Sequence, residues 1–312
     1  MFLHEDRELF EDVIKATAEV QQRPVATRGY RMFNIAICDD EEILIDELKE
    51  NLIKYDCVFK GGTFLSKYHH AIDRFSEDID IAFSDNLTQG QRKNLKDKTI
   101  AGISDRLGLP ISDWENARSR RDYNCYTFDY RPIDGYVQKS LIPGVKMEVS
   151  LGSASFPTVT LPVDSYVYQY LQQENEEIIQ DYQLQPFRMT LQSLERTFAD
   201  KVFAVCDYYL AGKTQRNSRH IYDLYMLYSR ISMTEEYKEL VAEIRKQRAR
   251  MTICLSAQKG INIPEVLERI IEEDVYRADY EEITTYFQNH PIGYENVVTV
   301  LRAIIDSGVF DF

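Results

Sequence analysis

Three short stretches of this chain carry residue types that could do chemistry together. They are Gly61-Gly62-Thr63, then, after fourteen intervening residues, Asp78-Ile79-Asp80, then a lone Glu148 within Val145-Lys146-Met147-Glu148-Val149-Ser150-Leu151. Paired glycines let the backbone approach an anion closely, and N–H groups with a Thr hydroxyl at the start of a helix can hydrogen-bond phosphate oxygens. Aspartates at i and i+2 of a strand share a face. Joined by a carboxylate from a neighbouring strand, they make an all-oxygen donor set suited to Mg²⁺, which usually takes a few carboxylates plus substrate phosphates. Two such ions about 4 Å apart would activate an attacking hydroxyl and neutralise a departing pyrophosphate. The order of glycine cradle, acidic pair and strand carboxylate therefore points to nucleotidyl transfer. Taken singly, a Gly-Gly is also an ordinary turn and Asp-x-Asp an ordinary solvated pair. Two like charges on one strand face, however, repel unless a cation or an arginine compensates them.

The elements that must position these residues follow from the hydrophobic periods. Leu9, Val13, Ala16 and Val20, and then Ile43, Leu44, Leu48, Leu52 and Ile53, recur at helical spacing over 5–20 and 41–55. Cys57-Val58-Phe59 reads as a short strand ending in a turn at 60–63, with a helix beginning over 64–68. Asp78 to Phe83 reads as a strand that turns Ile79 and Ile81 into the core, and 123–130 and 144–151 read as two more strands. Beyond Pro157 and Pro162 the strand signal fades. Helical patterns dominate from about 190, starting with Leu191, Leu194, Phe198, Val202, Val205 and Tyr209. The fold class expected is α+β, with domains over 1–165 and 166–312, the second mainly helical and closing a cleft.

A chain of 312 residues that is 44% hydrophobic and 12% aromatic can bury a full core, which excludes a disordered or collagen-like chain. Its 37 Lys and Arg stand against 51 Asp and Glu, a net charge of −14, so any nucleic acid must be gripped by a local basic patch. Arg118, Arg120 and Arg121, and Lys246, Arg248 and Arg250, are the candidate clusters, with solvated helix faces as the alternative. Tyr123, just after the first cluster, is a candidate stacking platform or an edge packing residue. Five widely spaced cysteines with no C-x-x-C pair indicate neither a disulfide framework nor a zinc knuckle. The N-terminal segment lacks the pattern of a signal peptide, and no apolar run approaches a membrane span, so no membrane partner and a cytoplasmic location are expected.

The run Val58-Phe59-Lys60-Gly61-Gly62-Thr63-Phe64-Leu65-Ser66-Lys67, followed by Arg74-Phe75-Ser76-Glu77-Asp78-Ile79-Asp80-Ile81, resembles the signature of the AbiEii/AbiGii nucleotidyltransferase toxins of the polymerase-β-like superfamily. Leu194 through Lys201 and Arg219-His220-Ile221-Tyr222-Asp223-Leu224-Tyr225 resemble later elements of that family, and with Glu148 the likeness spans roughly 58–228. The resemblance implies a small mixed nucleotidyltransferase-like sheet with flanking helices and an α-helical C-terminal domain. It further implies a toxin of a type IV-like toxin–antitoxin or abortive-infection pair whose antitoxin resembles a winged-helix regulator. Some relatives act on the 3′ end of tRNA. Carried over by position, Asp78, Asp80 and Glu148 hold metal and serve catalysis. Lys60, Gly61, Gly62, Thr63, Arg74, Ser76, Lys201 and Asp223 bind nucleotide. The cofactor implied is Mg²⁺, as two ions, with an NTP as substrate. His220 departs from the pattern, standing where the family often carries an acid.

Several residues keep a second reading at this level. Lys201 is also a typical solvated helix lysine, and Arg219 with Asp223, at i and i+4, is also a helix ion pair worth about 0.3–0.5 kcal/mol. Arg74 can compensate the acidic pair, touch phosphate, or pair with Glu77. His69-His70 reads as exposed polar loop. Transfer to a small molecule or protein, and a nucleotide-binding module without turnover, are the alternative functions.

Overall fold

The computed structural model describes residues 57–67, 69–76, 78–83, 87–130, 144–151, 156–164, 168, 171–172, 179–180 and 185–312. The helices expected over 5–20 and 41–55 lie outside the described residues. Six strands form one mixed sheet: β1 (Cys57–Lys60), β2 (Asp78–Phe83), β3 (Tyr123–Asp129), β4 (Gly144–Leu151), β5 (Thr158–Val163) and β6 (Phe187–Gln192), in the order β3-β4-β2-β1-β6-β5. With its flanking and C-terminal helices this is an α+β architecture consistent with a nucleotidyltransferase-like fold.

The described residues divide into two compact units. The first takes residues 57–59, those between 77 and 153, and those between 160 and 189; the second takes 60–76, those between 154 and 159, and 190–312. In the first unit β2 runs parallel to β4, with Asp78 opposite Lys146 and Asp80 opposite Glu148, and β3 runs antiparallel to β4, with Cys125 opposite Glu148. Alternation then sorts the residues. Ile79, Ile81, Phe83, Met147, Val149, Tyr126 and Phe128 are all buried on one face. The other face carries Asp78, Asp80, Lys146, Glu148, Cys125 and Tyr123. A helical run begins at Gln89–Asn94 (α2), widens into a π-helical stretch over Leu95–Ile100, and ends as α3 (Ala101–Leu107) at Gly108, which is left-handed.

In the second unit, α1 (Gly61–Lys67) starts directly from β1, so the glycines expected in a turn form the first turn of a helix. Gly61 has φ of 90°, a region that favours glycine, and this is how strand and helix join without a loop. The remaining helices are α4 (Leu194–Leu210), α5 (Arg219–Tyr228), α6 (Glu235–Arg248), α7 (Ile263–Glu272), α8 (Arg277–Glu282) and α9 (Tyr294–Asp306). Helix α4 is central: Phe198, Val202, Phe203, Val205 and Cys206 are fully buried, and α5, α6 and α7 pack against it. Ser193 caps it by accepting from the Arg196 N–H.

β5 and β6 correct the expectation that strand structure ends near Pro157. Pro162 lies within β5, and β5 is an edge strand, the one place in a sheet where a missing N–H costs no ladder hydrogen bond.

Candidate active site

The acid-bearing face of the first unit is built by register. Neighbouring strands lie about 4.8 Å apart, so Asp80 and Glu148, direct partners on β2 and β4, stand side by side. Asp78 shares the face two residues away, opposite Lys146 in register. Lys146 was not among the expected site residues, although its place two residues before Glu148 put it on the same face. The face is half-buried. Burial, then the Glu148 charge, pushes the Cys125 thiol up to about 11, and the same causes raise Tyr123. Tyr123 is 48% exposed at the edge of this negative field.

Among the described residues no group of three or more His, Cys, Asp or Glu side chains is gathered into a ready-made metal cage. What fits Mg²⁺ is the donor type and the placement. Two carboxylates side by side, with a third on the same face, match an ion that takes one or two protein carboxylates and fills its remaining positions with water and phosphate.

The second unit holds a different arrangement. Asp223, fully buried on α5, accepts from Arg74 Nε and Nη2, both at 2.7 Å, and from Lys201 Nζ at 2.6 Å. Burial would raise the Asp223 carboxyl, but Arg74 and Lys201 hold it well below the usual carboxylate range. Burial also draws the Lys201 ammonium below its ordinary value, with Asp223 opposing. Arg74 thus pairs with Asp223, and Lys201 is a buried side chain, not a solvated one. The segment carrying Arg74 is laced to the helices: the Asp73 N–H donates to the Tyr222 hydroxyl, the Phe75 N–H to the Phe287 carbonyl, and Arg230 to the His69 and His70 carbonyls. His70 is exposed, whereas His69 is half-buried, its Nε2 shielded and without a hydrogen-bond partner among the described residues.

Gly62 is where α1 meets that segment. A Cβ at this position would lie 2.5 Å from Ser76 Oγ and 2.9 Å from Arg74 Nη2. The glycine therefore lets α1, Ser76 and the Arg74 guanidinium come together. Thr63 beside it is fully buried, and Lys60 lies within the field of Asp200. The basic cluster 246, 248, 250 is split by helix geometry, residues two apart lying about 200° apart around the axis. Lys246 is exposed, while Arg248 is drawn inward to Asp200 at 3.1 Å and Asp207 at 2.7 Å.

A family model described as "Nucleotidyl transferase AbiEii toxin, Type IV TA system" matches residues 42–296. The chain belongs to this family. It is accordingly a nucleotidyltransferase toxin of a type IV toxin–antitoxin system, one that takes an NTP and acts opposite a paired antitoxin. No curated protein matches it. Among solved structures it is similar to the crystal structure of JHP933 from Helicobacter pylori, at 15% identity and a TM-score of 0.43, over 86% of this chain and 89% of that one. No described helix of this AbiEii-family chain is long and apolar enough to cross a membrane.

Proposed function

We propose that this toxin transfers an NMP from an NTP to an acceptor hydroxyl in a Mg²⁺-dependent reaction, with the 3′ end of tRNA as acceptor. The acceptor oxygen bonds to the α-phosphorus, the bond from that phosphorus to the bridging oxygen breaks, pyrophosphate leaves, and the hydroxyl proton passes to Glu148 or water. The observation that carries the reading is the direct register of Asp80 with Glu148 on a face shared by Asp78. Like charges opposite one another repel, and a divalent cation between them turns repulsion into binding.

When bound there, Mg²⁺ supplies Lewis-acid activation of the hydroxyl and neutralises charge on the leaving group. Asp78, Asp80 and Glu148 would hold it. In the second unit Arg74 and Lys201, aligned by Asp223, would hold triphosphate oxygens, as would Ser76, Lys60 and the backbone of Gly61 to Thr63. The choice of tRNA follows the family resemblance, as do a winged-helix antitoxin and a cytoplasmic location, where NTP and tRNA meet.

The test incubates purified protein with each α-labelled NTP, Mg²⁺ and total RNA. Label in the tRNA fraction, abolished by EDTA, is expected. Label in small molecules or protein instead would replace the acceptor. Nucleotide binding with no label transferred anywhere would reject catalysis.

A further inference from the structure

His220 is the second residue of α5, three positions before Asp223. Its ring stacks on Tyr208, with centroids 5.6 Å apart and planes 16° from parallel. Its Nδ1 is buried and finds no hydrogen-bond partner among the described residues. Such a shielded ring nitrogen without a partner calls for an explanation. The groups around it are Lys201 and Tyr208 from α4, Arg219 and Asp223 from α5, and Arg74 from the segment before β2. Three of these are cations and one is an anion, already shared between Arg74 and Lys201. Burial first, then Lys201 and Arg219, push the imidazole well below its ordinary value, so the ring is neutral at pH 7. A polyanion entering this surrounding would reverse the sign of the local field and supply the missing partner.

We propose that His220 is a further triphosphate-binding residue, whose Nδ1 donates to a phosphate oxygen and whose ring takes up one proton from solvent as nucleotide binds. This rests on the reading of Arg74 and Lys201 as the triphosphate site. The sign is fixed: a base protonated more in the complex than in the free protein makes binding tighten as pH falls, by up to about tenfold per pH unit for one full proton. In effect, nucleotide binding becomes stronger on mild acidification.

The test is calorimetric titration of the full chain with Mg²⁺ and an α,β-methylene NTP, which binds without transfer, in buffers of differing ionisation enthalpy at pH 6.0 to 7.5. A terminal phosphate itself titrates near pH ~6, so the quantity read is the difference between wild type and His220→Asn. Asn keeps a donor near Nδ1 but cannot titrate. Wild type is expected to take up more protons than the variant, and the variant's affinity to vary less with pH. Should the variant fold poorly, ¹H–¹³C spectra of wild type serve alone, since the chain has five histidines to assign. The His220 ring should protonate at higher pH with nucleotide than without. Equal proton uptake, or an unmoved His220 titration with nucleotide bound, overturns this proposal and leaves the triphosphate site standing. Failure of the α,β-methylene analogue of each of the four NTPs to bind wild type overturns both.

Discussion

The acid face of the first unit and the ion cluster of the second show two opposite ways of handling charge. On the sheet, Asp80 faces Glu148, like beside like, on a half-buried surface where register alone brings them together. In the helices, Asp223 is fully buried and its carboxylate oxygens take three donors, at 2.6 to 2.7 Å. The first arrangement places carboxylates next to one another by strand register. The second gives cations a rigid place by surrounding one anion with them. On the proposed reading the first would bind a cation and the second would present cations to phosphate.

Breaking the acid face should leave the fold intact and remove the reaction. Asp80→Ala or Glu148→Gln is expected to lower transfer by a factor on the order of 10³ or more, with the urea midpoint little changed. Activity within tenfold of wild type, measured as label transferred per minute, would assign these acids to the surface. Breaking the ion cluster should cost stability as well as nucleotide binding. Asp223→Asn leaves Arg74 and Lys201 buried against a neutral group and should cost about 3–5 kcal/mol of stability in urea titration. A loss below about 1 kcal/mol would contradict the geometry described. The pH dependence has a definite sign. Asp223 ionises more readily folded than unfolded, so its contribution is complete above pH ~4 and is lost as pH falls further, and Asp223→Asn should lose less stability than wild type on acidification below that point.

Smaller effects sharpen the contrast. Gly62→Ala should cost about 1–3 kcal/mol, because its Cβ would press on Ser76 and Arg74, whereas helical Gly102, with open space around it, should gain up to about 1 kcal/mol on the same change. Paired thermal melts decide this, and equal effects would mean that Gly62 is not a close-approach residue. Lys246→Ala, on the exposed side of α6, should stay within about 0.5 kcal/mol of wild type, while Arg248→Ala removes an ion pair from both Asp200 and Asp207, which keep Arg196 and Ser256, and should cost more. Equal losses would overturn the inward and outward division of that helix.

How much of this could be read in advance depended on the range of the interaction. Period-two alternation gave β2 and β4, and with them the shared face of Asp78 and Asp80 and the burial of Ile79 and Ile81. The register of Asp80 against Glu148 could not be read, because it depends on which strands neighbour one another. Asp223 meets Arg74 149 residues away in the chain, a distance no local pattern spans. Lys201 looked solvated because Asp200 beside it suggested a charged surface, yet only tertiary packing shows that its ammonium turns toward a buried carboxylate. β5 was hidden by Pro162, whose meaning changes once the strand is known to lie at an edge. The division of Lys246 from Arg248 was available from helix geometry alone.

The most direct measurement is diffraction from crystals of the full chain grown with Mn²⁺ and an α,β-methylene NTP, locating the metal by its anomalous signal. The account predicts Mn²⁺ ligated by carboxylates of Asp78, Asp80 and Glu148 and triphosphate oxygens on Arg74 and Lys201. Metal bound elsewhere on the chain, with these three carboxylates uncoordinated while nucleotide is present, would contradict it.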